Sequence, residues 1–225
     1  MACAGDGITV SRLARPGWST RRALHDSRDS HFVPICRTFH CPPTTLTRHT
    51  IMASTLRLMP YDAEWPARFD AEAARLRAVL LENVIVEHVG STAVPGLAGK
   101  PVLDIAIAVQ CESAADTCIG PLTGLGYAYR GPNGADPRRR YYTRDVNGAR
   151  AVQVHLYVLP ASAWDEKLAF RDALRADPAL AAAYEAEKYR VAADVAWDKS
   201  RYALAKEPFV ERTLAALRRG ASPLP

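Results

Sequence analysis

The sequence predicts an α+β (α/β) domain built on a mixed β-sheet, with flanking helices and a helical block at its C-terminal end. Three observations lead there. Apolar runs at 84–89, 102–109 and 151–158 have the length and the Val/Ile content of strands. Segments with apolar residues at helical spacing alternate with them. The last third, from Ser162 onward, reads as helix throughout.

Taken in order, Leu56 to Met59 is a short strand candidate, and Pro60 to Pro66 is a turn leading into a helix. Asp62 is placed to cap that helix, and Phe69, Ala73, Leu76 and Leu80 recur on one face to about Leu81. Strands follow at 84–89 and 102–109. Residues 112–125 predict a helix ending at Gly124 or Gly126. Tyr127 to Arg130 is a short strand, and Gly131 to Pro137 is a dense turn cluster that predicts a mobile loop. Residues 138–143 and 151–158 predict two further strands, with Asp145-Val-Asn-Gly148 as the hairpin turn between them. Ser162 caps a helix to about Ala176. Asp177-Pro178 starts another that runs to Val195 or beyond, since Asp suits the cap and Pro the first turn. A last helix extends from Lys206 to Arg219 and stops at Gly220.

Of 225 residues, 48% are hydrophobic and 24% charged, as in ordinary globular proteins, and no apolar run reaches the length that spans a bilayer. The formal net charge is +5, yet seven Arg and three Asp within residues 1–51 supply +4 of it. The remainder is nearly neutral, so charge gives little support to a nucleic-acid partner. Five Cys, at positions 3, 36, 41, 111 and 118, include no CxxC pair and predict neither a zinc site nor a disulfide framework. No secretory h-region follows Met1, and the expected compartment is the reducing cytoplasm. Residues 1–51 have no sustained period and no Lys. Their Arg, Ser and Thr content is that of a transit peptide, against which three Asp count. The plainer expectation is a disordered extension, or translated upstream sequence with Met52 as the start, ahead of a domain at 52–225.

The stretch that organises the domain is 85–109. A strand runs into Gly90-Ser91, a Gly/Pro-punctuated segment follows, and a second apolar run carries Asp104 near its start. Burying a carboxylate costs several kcal/mol unless a metal or a cationic group offsets it. Gly admits a phosphate close to the backbone, Ser adds a hydroxyl, and Asp can hold a divalent cation. Lys100, between the turn and Asp104, can neutralise a phosphate or pair with Asp104. His88 and His155, the two His after residue 52, can serve as ligands or acid–base groups, or as hydrogen-bonded core residues. Of Arg138, Arg139 and Arg140, Arg140 is expected to point inward, and Tyr141-Tyr142 can stack on a base.

Glu87-His-Val-Gly90-Ser-Thr-Ala-Val-Pro-Gly-Leu-Ala-Gly-Lys100-Pro-Val-Leu-Asp104 closely resembles the signature of the GrpB (UPF0157) family. Tyr61–Pro66, Val154–Val158, Phe170–Arg175 and Tyr184–Lys188 also match it, so the resemblance covers about 56–219 and leaves out residues 1–51. The family is similar to the polymerase β-like nucleotidyltransferase superfamily. That implies a nucleotidyltransferase-like core, an NTP or similar phosphate ligand, and Mg²⁺ or Mn²⁺. In the superfamily, Gly-Ser is followed by Asp-x-Asp/Glu and by a third acid on a later strand. Gly90-Ser91 and Asp104 fit that pattern, whereas Ala106 stands where the second acid belongs and the later strand offers Gln153 and His155. Strand alternation would let Glu87 or His155 complete a catalytic site with Asp104, with Asp104 and Glu87 as the metal ligands. Gly90, Ser91, Lys100, Arg140 and Tyr142 are expected around the substrate, with Arg171, Lys188 and Lys206 at positions that match the family. Two functions are therefore expected. One is nucleotidyl transfer to an unknown acceptor; the other is a non-catalytic nucleotide or phosphate-ligand module with a degenerate site. A link to coenzyme A synthesis comes from the resemblance, since similar domains occur fused to dephospho-CoA kinase, but the chain has no Walker A motif of its own.

Overall fold

The computed structural model describes residues 55–132 and 136–223. The expected extension at 1–51 and the start at Met52 lie outside the described residues, as does the middle of the turn cluster at 131–137.

Five strands form one mixed sheet in the order β1-β2-β5-β4-β3. They are β1 (Ile85–Val89), β2 (Leu103–Val109), β3 (Ala128–Tyr129), β4 (Arg140–Val146) and β5 (Ala149–Val158). β2 and β5 pair in parallel and the other neighbours are antiparallel. β2 and β5 are central; β2 is almost fully buried and so nearly continuously apolar, while β5 is fully buried from Val154 to Val158. Side chains alternate across the sheet. One face carries Ile105, Ile107, Val152, Val154 and Leu156, packed on Ala73 and Leu76 of α1 (Trp65–Arg77). Ala115 of α2 (Glu112–Thr117) and Leu122 of α3 (Ile119–Gly124) complete that core. The other face carries Val89, Ala106, Ala108 and Tyr157, packed on Trp164 of α4 (Ser162–Ala176). The remaining helices are α5 (Pro178–Asp194), α6 (Lys199–Ala205) and α7 (Glu207–Arg218). Among the described residues, no helix is long and apolar enough to cross a membrane.

Several elements differ from expectation, for local reasons. Residues 55–59 form no strand of the sheet and pair only through the isolated bridges Thr55–Asp198 and Met59–Gly99. Asp62 accepts from the Glu64 N–H at 2.9 Å, two residues short of the cap position, which Glu64 itself occupies. The helix expected over 112–125 divides at Cys118, because Pro121 has no N–H to give the carbonyl four residues earlier. The 145–148 turn tightens to Asn147-Gly148, both at positive φ as a two-residue hairpin requires. The α5 helix breaks at Ala196 and Trp197, also at positive φ, and Asp198 then caps α6 by accepting from the Arg201 N–H at 2.8 Å.

Candidate functional site

The Gly90-Ser91 turn is shaped by what it must approach. Gly90 has φ 75° and ψ −174°, a region open to glycine almost alone. A Cβ there would lie 2.6 Å from Asp104 Oδ2, so the turn packs directly against the carboxylate at the start of β2. Ser91 opens a 3₁₀ turn through Ala93. Gly99 closes the loop from the far side, where a Cβ would come within 2.9 Å of the Ser91 Cβ. α5 fixes this loop from behind. Glu185 accepts from the Ala98 N–H at 2.6 Å, and Lys188 donates to the Ala98 carbonyl and reaches Ser91 Oγ at 3.4 Å.

Together these residues form one wall of a cleft of about 460 Å³. Its floor is the α4-side face of the sheet, with Asp104, Gln153, His155 and Tyr157; α4 contributes Lys167 and Arg171, and α6 and the start of α7 contribute Tyr202 and Lys206. Phe170, Leu174, Tyr184, Val210 and Leu214 make the opposite end apolar. The cleft is thus polar at the sheet and greasy among the helices.

Asp104 and His155 share the floor, with His155 Nε2 3.7 Å from Asp104 Oδ1. Arg139 hydrogen-bonds to His155 Nδ1. A guanidinium can only donate, so Nδ1 accepts and the neutral ring carries its proton on Nε2, directed at Asp104. Burial, reinforced by the charges of Lys167 and Arg139, pushes the His155 pKa down to about 4 despite Asp104. Burial raises Asp104, but His155, Lys167 and Lys100 together outweigh it and hold the carboxyl below its ordinary value. Lys167 falls to about 8, chiefly through burial and against the pull of Asp104. Lys100 and Lys206 are lowered for the same reason, again with Asp104 opposing. Lys100 also lies 5.6 Å over the Tyr202 ring.

The expected site residues divide clearly. Gly90, Ser91, Lys100, Asp104, His155, Arg171 and Lys206 line the cleft. Arg171 is already engaged, donating to Glu87 at 2.6 Å, Asp172 at 2.7 Å and the His88 carbonyl at 2.9 Å. Glu87 shares the sheet face of Asp104 but is drawn to Arg171 and does not line the cleft. Lys188 is fully buried behind the loop as a strut, with burial lowering it to about 8. Two expectations are corrected. Arg140 points away from the cleft, to Asp116 at 2.9 Å, and Tyr142 is fully buried in the α1–α3 core beside Val154. Their neighbours serve instead: Arg139 reaches His155, and Tyr141 stacks on its ring at 5.1 Å. His88 faces the opposite side, stacked on Phe69 at 4.5 Å and bonded to Thr92 at 3.0 Å, a core histidine. Lys167 escaped sequence reasoning, although Ala163, Lys167, Phe170 and Leu174 recur at helical spacing and share the cleft side of α4.

The donor set does not fit a two-metal centre. Mg²⁺ and Mn²⁺ call for several oxygen ligands in near-octahedral array. Among the described residues no three of His, Cys, Asp and Glu come together. Ala106 and Gln153 leave Asp104 without an acidic neighbour on β2 or β5, Glu87 on β1 is drawn to Arg171, and Glu166 is turned to Arg218 at 2.6 Å.

Comparison with known proteins gives a consistent result. Residues 55–216 match the family model described as GrpB protein. A UPF0157 protein of Pseudomonas aeruginosa is 34% identical over 161 residues, 71% of this chain and 66% of that protein. A dephospho-CoA kinase of Mycolicibacterium paratuberculosis is 32% identical over 188 residues, 73% of this chain but 46% of the kinase. The crystal structure of GrpB from Enterococcus faecalis superposes with TM-score 0.65 at 32% identity, covering 72% of this chain and 98% of its own. The chain therefore spans less than two thirds of the length of the first two.

Proposed function

The chain belongs to the GrpB family, and on that footing we propose that its cleft binds a nucleotide or a similar phosphate-bearing small molecule. One observation carries the proposal. Lys100, Arg139, Lys167 and Lys206 converge on a cleft whose acids are Asp104 and the outward-drawn Glu166, Arg171 being paired with Glu87 and Asp172. An anionic ligand is the natural complement of such a surplus, and the Gly90-Ser91 backbone can approach it without a side chain in the way. The apolar end suits the body of the ligand. A binding module agrees with the geometry better than a two-metal transferase does.

The second reading, nucleotidyl transfer with Mg²⁺ or Mn²⁺, rests on Gly90 packed against Asp104, the arrangement that the superfamily resemblance implies. Asp104 would then be the one protein carboxylate offered to a cation. The link to coenzyme A rests on the name of a relative less than half of which is matched.

Thermal unfolding of the full chain with each NTP and with coenzyme A tests the proposal. A ligand at a hundred times its Kd adds about 2.7 kcal/mol, a rise of roughly 5–10 °C in Tm for a chain of this size. No rise with any of them overturns it. Pyrophosphate–NTP exchange that needs divalent metal and is lost in Asp104→Asn would establish the transferase reading instead.

A further inference from the structure

The charges around Asp104 run opposite to what a divalent cation requires. Lys100, Lys167 and Lys206 all feel the Asp104 carboxylate, and burial opposes the charge on all three. None of them is held in an ion pair by a carboxylate of the described residues. They come from three separate parts of the chain, the loop before β2, α4 and the junction of α6 and α7, so their convergence is not the chance spacing of one helix. His155 adds a donor, since Arg139 occupies its Nδ1 and leaves the Nε2 proton facing Asp104. A cation entering beside Asp104 would meet three ammonium groups and an N–H. A phosphate entering there would meet four donors.

Resting on the reading of this cleft as a phosphate-ligand site, we propose that Lys100, Lys167 and Lys206 take the place of divalent cations. The cleft then binds a compound with two or more linked phosphates in its metal-free form. Asp104 is the internal counter-charge of the empty cleft rather than a metal ligand. It offsets part of the charge of the three ammonium groups until the ligand's phosphates do so. The ligand is expected as the free polyanion because chelation by Mg²⁺ cancels two of the charges that the lysines recognise.

The sign of one substitution separates this from a metal site. Calorimetric titration of the full chain with ATP, ADP and tripolyphosphate is run in EDTA and in excess MgCl₂. The unmodified protein is expected to bind in EDTA, and more weakly in magnesium by about tenfold, the equivalent of about 1.4 kcal/mol. Asp104→Asn is expected to bind several-fold more tightly, because it removes the competing anion and keeps the shape. Lys167→Met and Lys206→Met are each expected to lose about tenfold. Binding that requires magnesium, or that Asp104→Asn abolishes while its unfolding transition stays cooperative, overturns the proposal and leaves the phosphate-ligand reading standing. No binding of any of the three probes in either buffer overturns both. The EDTA–magnesium comparison needs no variant, so it decides the matter even if Asp104→Asn does not fold.

Discussion

Gly90→Ala should be among the most damaging single-atom additions in the domain, and its cost can be worked from two separate terms. At φ 75° and ψ −174° a side chain is strained wherever it points, at roughly 1–3 kcal/mol. The new Cβ would also stand 2.6 Å from Asp104 Oδ2 and 2.9 Å from its Cβ. The second contact is with the root of a side chain on a central strand, which cannot swing aside, and overpacking of this kind adds about 1–3 kcal/mol. A total of about 2–6 kcal/mol corresponds to a fall of roughly 4–24 °C in Tm. Urea and thermal unfolding by circular dichroism measure it. Two controls divide the terms. Gly96 has φ 78° with nothing within 4 Å of a Cβ, so Gly96→Ala carries the backbone cost alone. Gly99 has no positive φ, but its Cβ would meet Ser91 Cβ at 2.9 Å, so Gly99→Ala carries the contact alone. Adding Asp104→Gly to Gly90→Ala should recover more than about 1 kcal/mol in a double-mutant cycle. If Gly90→Ala is no worse than Gly96→Ala, or the cycle shows no coupling, the turn is not built around Asp104 and the reasoning fails.

Two further outcomes follow from the buried rings. His88 and His155 are both held near pKa 4, mainly by burial, against 6.5 when exposed. Between those values the unfolded chain binds protons that the folded one does not. Their contribution is therefore present above pH 6.5 and lost as pH falls towards 4, by about 1.4 kcal/mol per pH unit for each. Urea unfolding from pH 7 to 5 should show His88→Gln with the shallower slope, and equal slopes would count against the burial argument. The ¹⁵N shifts of His155 should show Nδ1 bare and Nε2 protonated, with that preference lost in Arg139→Met; an Nδ1 proton in the unmodified protein would contradict the hydrogen bond from Arg139.

Much of the fold can be read locally. β2 and β5 carry apolar runs that serve buried strands, and α1, α5 and α7 announce themselves by Pro in their first turns, α5 also by its Asp177 cap. α4, whose cap position is Ala161 rather than Ser162, is marked by its period alone. The order β1-β2-β5-β4-β3 is a different matter, since it depends on contacts between distant segments for which one sequence holds no signal. In the site, Gly90, Ser91, Lys100 and Asp104 were legible because they lie within one compact stretch. Lys167 and Arg139 were not. The value of a lysine on an amphipathic helix depends on what its helix covers, and α4 covers the face that carries Asp104.

Arg139 and Arg140 show how a single residue decides which side chain works. The hairpin turns at Asn147-Gly148, pairing Val146 with Ala149 and Asp145 with Arg150. An unbroken ladder continued from there would set Tyr142 opposite Gln153 and Arg140 opposite His155, which is the cleft face. Instead the register shifts at Arg144/Asp145, so that Arg144 faces Val152, Tyr142 faces Val154 and Tyr141 faces His155. One extra residue in β5 turns every later side chain of β4 to the other side of the sheet. Tyr142 thereby goes into the core and Arg140 out to Asp116, and Arg139 is the arginine left beside His155. Nothing in Arg138-Arg139-Arg140-Tyr141-Tyr142 distinguishes its two faces, because either parity offers one tyrosine and at least one arginine to each. The bulge supplies the choice. By selecting Arg139 it also selects the histidine tautomer, and so directs a proton rather than a lone pair at Asp104. On the reading proposed above, that proton would join Lys100, Lys167 and Lys206 as a donor to an anionic ligand in the cleft.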